Sequence, residues 1–92
     1  MSATVITWRL RDVMERNGIR AGDLAREMGV SANAVTNWRG VTMPRFDGDR
    51  LNQLVISLNK LRRAGAELIT PSDLIGFALS PEEMKLLGVM TK

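Results

Sequence analysis

The sequence predicts an all-α fold: a five-helix bundle followed by a short C-terminal helix. Three observations carry this. Apolar residues recur at three- and four-residue intervals along most of the chain, no stretch alternates as a half-buried strand would, and cap and stop residues punctuate the periodic segments. At 92 residues and 45% hydrophobic, the chain has enough apolar side chains for one packed centre and no more. Residues 1–92 are therefore read as a single domain, with a core over about 4–79 and an extension over 80–92.

Taken in order, Ile6, Leu10, Val13 and Met14 keep a helical interval, with Ser2 or Thr4 available as a cap. Asn17-Gly18 ends this first helix, the glycine suiting a left-handed C-terminal cap, and Ile19 follows as a buried linker residue. Leu24, Ala25 and Met28 mark a short second helix stopped by Gly29. Ser31 caps a third, whose inward positions are Ala34, Val35 and Trp38 and which stops near Gly40. Val41 to Arg45 is a loop, because Pro44 blocks helix continuation and biases Met43 to extended geometry.

Asp47 caps a longer fourth helix with Leu51, Leu54, Val55, Leu58 and Leu61 on one face, and Gly65 closes it. Phe46 before that cap and Leu51 after it have the spacing of a hydrophobic staple. Thr70-Pro71-Ser72-Asp73 is a start signal for a fifth helix holding Leu74, Ile75, Phe77 and Leu79. Ser80-Pro81-Glu82-Glu83 repeats the signal before Met84, Leu86 and Leu87.

Composition removes several function classes. With no Cys and no His, there is no disulfide framework, no usual zinc site, and no Ser-His or Cys-His nucleophile. The carboxylates are scattered over helical surfaces without a paired-acid arrangement, so the chain is read as non-enzymatic, with no cofactor and no metal. No apolar run is long enough to span a bilayer, and Met1 to Val5 lack the build of a secretory signal. A soluble, cytoplasmic protein is the expectation.

The net charge of +3 is unevenly placed. Residues 1–46 hold seven arginines against four acids, whereas residues 47–92 balance. Arginine's planar fork suits phosphates and base edges. The same residues also serve as a solvated helical surface paired with Asp12, Glu15, Asp23 and Glu27.

The informative stretch is Leu24 to Trp38. Two short helices meet at a turn containing Gly29; Ala25 is small enough for the backbones to approach, Val30 plugs the turn, and Val35 and Trp38 point back to the core. This is the pattern of a helix-turn-helix, whose second helix enters the DNA major groove. With Asn17-Gly18-Ile19, Leu24-Ala25, Gly29-Val30-Ser31, Val35, Trp38, Gly40 and Pro44, the chain resembles the lambda repressor/Cro family of Xre-type regulators over roughly residues 7–79. Pro44-Arg45-Phe46 also resembles a loop of certain lambdoid phage repressors. Two departures stand out. Arg20-Ala21 replaces the Ser-Gln that often opens the second helix, and the stretch from Leu61 to Thr70 is longer than typical.

The resemblance implies that the exposed face of the third helix reads bases, through Ala32, Asn33, Thr36 and Asn37. Asn33 and Asn37 share a face, asparagine matches adenine bidentately, and the Ala32 or Thr36 methyl suits a thymine methyl. Arg20, Ser31, Arg39 and Arg45 are the candidates for backbone or minor-groove contact. Ser31 is first a cap, and Arg39 is equally an ion-pair residue. Trp38 is read as core, whereas Trp8 lies off the first helix's stripe and is read as partly exposed. Lys60-Leu61-Arg62-Arg63 has the look of a basic DNA stripe, but is read first as a complement to the negative end of the fourth helix's dipole.

The implied function is a sequence-specific transcriptional regulator, bound as a homodimer to a pseudo-palindromic operator in double-stranded DNA. The apolar residues Met84, Leu86, Leu87, Val89 and Met90 either form a dimerisation surface or cover the chain's own core. The competing reading is an adaptor or antitoxin-like module with a protein partner, favoured by the small net charge and the absent glutamine.

Overall fold

The structure is a computed structural model, and it describes residues 6–40, 43–78 and 81–88. Its elements run β1 (Ile6–Trp8), α1 (Leu10–Arg16), α2 (Ala21–Met28), α3 (Ala32–Trp38), α4 (Gly48–Leu61), α5 (Pro71–Leu74), β2 (Ile75–Phe77) and α6 (Pro81–Leu86). The mostly helical architecture and the helix-turn-helix are those the sequence predicts. The described residues form six helices, the number expected once the short C-terminal one is included, and also a two-stranded sheet, which the all-α expectation did not contain.

The sheet replaces helix at two places. Ile6 does not begin the first helix; Ile6–Trp8 pairs antiparallel with Ile75–Phe77 in the register Ile6 with Phe77, Thr7 with Gly76 and Trp8 with Ile75. Branched and aromatic side chains favour this geometry at both strands. α1 consequently starts at Leu10, after Arg9 donates its backbone N–H to the Leu74 carbonyl at 2.7 Å. Ser2 and Thr4, the expected caps, lie outside the described residues, as do Val41, Thr42, Leu79, Ser80, Val89 and Met90.

One face of the ribbon is buried at one end only. Trp8 is 6% exposed, correcting its assignment as partly exposed, while Phe77 at the other end is 69% exposed. Gly76 is buried, and a Cβ there would stand 2.5–2.7 Å from guanidinium atoms of Arg9.

The core gathers Leu10, Val13 and Met14 from α1, Leu24, Ala25 and Met28 from α2, Val35 from α3, Leu54 and Leu58 from α4, and Leu74 from α5. Removing such side chains from water is the main stabilising term, worth about 1.5–3 kcal/mol for each large one. Phe46 and Leu51 both pack on this core from its rim. Phe46 lies 5.8 Å from the ring of Trp8 and 5.3 Å, edge-on, from that of Trp38.

α4 ends earlier than expected. Arg62, not Gly65, is its C-cap; its guanidinium donates to the Asn59 carbonyl (2.9 Å), an acceptor left open at the helix end, and to the Ala66 carbonyl (3.2 Å) in the following connection. Lys60 instead reaches Glu27 on α2 at 3.2 Å. At the start of α5, the Asp73 carboxylate accepts from the backbone N–H of Thr70 at 2.8 Å, as the start signal requires.

Candidate nucleic-acid interface

α2 and α3 pack against each other more extensively than any other pair of elements, and Ala25, 4% exposed, is buried between helices. Gly29 makes the turn with φ +72, a left-handed conformation that costs a residue with a Cβ about 1–2 kcal/mol. The Val30 N–H then donates to the Ala25 carbonyl at 3.0 Å, closing the end of α2. Ser31 opens α3 in extended geometry, its Oγ accepting from the Ala34 N–H at 3.1 Å.

Val35 is fully buried and orients α3. With that side anchored, the helical period turns Ala32, Asn33, Thr36 and Asn37 outward, and all four are exposed. Their polar atoms make no hydrogen bond to other described side chains, which leaves amide donors and acceptors available on one continuous face. Trp38 is half-buried and packs at the margin of the core.

The four flanking candidates differ. Arg20, the N-cap of α2, and Arg45, in the loop before α4, are exposed, and neither guanidinium has a partner among the described residues. Ser31 is exposed but engaged as a cap. Arg39 is only partly exposed, and its Nη2 lies 3.9 Å from Oε2 of Glu15 on α1, which also takes Nε of Arg11 at 3.3 Å. Arg39 is therefore shared with the scaffold, and its own Nε is buried without a partner among the described residues.

Sequence reasoning missed the groups that hold this unit in place. Gln53 on α4 donates to the Met28 carbonyl at 3.0 Å and accepts from Arg50 at 3.1 Å, so the C-terminal end of α2 is fixed by α4. The signal was a glutamine on the margin of an otherwise apolar stripe. Trp8 similarly donates its indole N–H to the Trp38 carbonyl at 2.6 Å, fastening the end of α3 to β1. Among the described residues no group of His, Cys, Asp and Glu is placed to hold a metal, and no helix is long and apolar enough to cross a membrane.

A buried-hinge pair of short helices with a polar, exposed second helix defines a helix-turn-helix protein of the DNA-binding class. Residues 9–64 match the family model of the Cro/C1-type HTH DNA-binding domain, and the chain belongs to that family. Comparisons with curated proteins and with solved structures gave no match. The family segment contains the whole helix-turn-helix and α4, while β1, α5, β2 and α6 lie outside it.

Proposed function

We propose that the protein is a sequence-specific transcriptional regulator that binds a pseudo-palindromic operator as a homodimer, and that it is a binding protein rather than an enzyme. α3 enters the major groove, with Ala32, Asn33, Thr36 and Asn37 at base edges and Arg20, Ser31, Arg39 and Arg45 on the backbone or in the minor groove. One observation carries the reading: Val35 is buried while those four α3 residues are exposed together. A helix so turned presents only readable side chains, and asparagine is a poor helix former retained there without packing return.

The homodimer follows from size. A seven-residue helix spans few base pairs, and a second copy supplies both the affinity and the half-site spacing. α6 buries no residue of its own, and Leu86 and Leu87 are 86% and 64% exposed, which supports the dimerisation role of this segment over the core-covering one.

Selection of sites from random duplex DNA tests the reading. Enrichment of a two-fold symmetric motif is the expected result. Enrichment of nothing, with the protein folded, would transfer support to the adaptor reading.

A further inference from the structure

The irregular connection between α4 and α5 forms one wall of a concavity of about 320 Å³ whose other wall is the C-terminal end of α1. Such a volume lies in the range of small-molecule sites. No residue of α2 or α3 lines it, so it is separate from the proposed reading face.

Two guanidinium groups border it, Arg16 from α1 and Arg63 from the connection, and neither has a side-chain partner among the described residues. Two carboxylates also border it. Asp73 is engaged, its Oδ2 accepting from the backbone N–H and hydroxyl of Thr70, whereas Glu67 is not. Carbon surface comes from Leu68, which is 65% exposed, and from Val13 and Ile69 behind it.

The wall is pinned in place although it has no regular structure. Asn17 Oδ1 accepts from the Arg63 N–H at 3.2 Å, and Asn59 both donates to and accepts from the Ile69 backbone at 2.8 Å. A preformed wall lowers the ordering cost of binding.

We propose that this concavity binds a small organic anion, a carboxylate- or phosphate-bearing molecule with an apolar body. Its charged group lies against Arg16 and Arg63, where planar forks give paired charge-assisted hydrogen bonds, and its body lies on Leu68. Glu67 from the connection and Asp73 from α5, which line the same concavity, disfavour a polyanion such as a nucleic-acid backbone, whose successive charges would meet carboxylates. A single anionic group avoids them.

The test is an amide-resolved NMR titration of the full chain at constant ionic strength, with benzoate, phenyl phosphate and the neutral benzamide as probes. Saturable shifts confined to Arg16, Asn17 and residues 63–69 are expected for the two anions, and whichever of them binds more tightly identifies the preferred headgroup. Benzamide binds more weakly. Arg63→Gln weakens anion binding about tenfold, as loss of one charged hydrogen bond does. Arg11→Gln, altering an exposed arginine on the same helix outside the concavity, leaves it unchanged.

Shifts that do not saturate, equal binding of benzamide, or an equal loss in Arg11→Gln would overturn the proposal. So would a fall in the salt dependence of duplex DNA binding on Arg63→Gln, which would assign that arginine to DNA. Because α3 is untouched by these variants, failure here leaves the operator reading standing, and failure of operator binding leaves this site standing.

Discussion

The Trp8 indole N–H donates to the backbone carbonyl of Trp38 at 2.6 Å, joining β1 to the last residue of the helix proposed to read DNA. Phe46 packs against both rings, so three aromatic side chains from three separate segments meet at the C-terminal end of α3. The position of that end is thus set by packing outside the helix-turn-helix itself.

Trp8→Phe keeps most of the ring contact but leaves the Trp38 carbonyl without its donor. The cost is about 1–3 kcal/mol, the desolvation penalty of an unsatisfied group. Urea unfolding should show a lower midpoint at unchanged slope.

Asn37→Ala and Arg45→Ala separate reading from positioning. Asn37→Ala should cost about 1–3 kcal/mol per half-site and relax preference at one base pair. Arg45→Ala should weaken specific and random duplexes alike and lower the salt slope by about 1 per subunit. Binding measured across a salt series on both duplexes distinguishes them; an Asn37→Ala protein that is folded and has unchanged base preference would remove the direct-readout role.

Two glycines of the helix-turn-helix should respond with opposite sign. A Cβ meets nothing within 4 Å at either Gly22 or Gly29, so only the backbone decides. Gly29→Ala, at φ +72, should destabilise by about 1–2 kcal/mol. Gly22→Ala, inside α2, should stabilise by about 0.4–1 kcal/mol by restricting the unfolded chain. Thermal unfolding of the two variants side by side checks the contrast.

Asn59→Ala removes both bonds to the Ile69 backbone and should cost about 1–3 kcal/mol. Hydrogen exchange of the Ile69 amide should accelerate more than that of Val35 if the loss is confined to the connection.

The helical framework was legible because burial imposes a period, and Leu24, Ala25, Met28 and Val35 each fall where that period requires. The exposed face of α3 followed from the same spacing, since one buried valine fixes which neighbours face water. The ribbon was not legible: three residues are too few to show alternation, and Ile6 fits a helical interval with Leu10 by coincidence of spacing. Nor could Asn17, Gln53 and Asn59 be assigned, because each meets a partner that only the tertiary fold brings near. The ion pair of Arg39 with Glu15 was one of two open roles, and it depends on the tertiary fold bringing the C-cap of α3 within 3.9 Å of a residue on α1.

The pairing of Ile6 with Phe77 joins segments separated by nearly the whole described chain. Closing so long a loop is entropically expensive until the helices between have already docked, so the ribbon forms late in folding. Contacts made last are the first to open, and opening that spreads from the exposed Ile6–Phe77 end as far as Trp8 releases it from Trp38. The far end of α3 is therefore governed by a clasp whose brief, reversible loss leaves the α2–α3 hinge intact. Sub-global exchange rates at the end of α3 should track those of the ribbon rather than those of Leu24 or Val35.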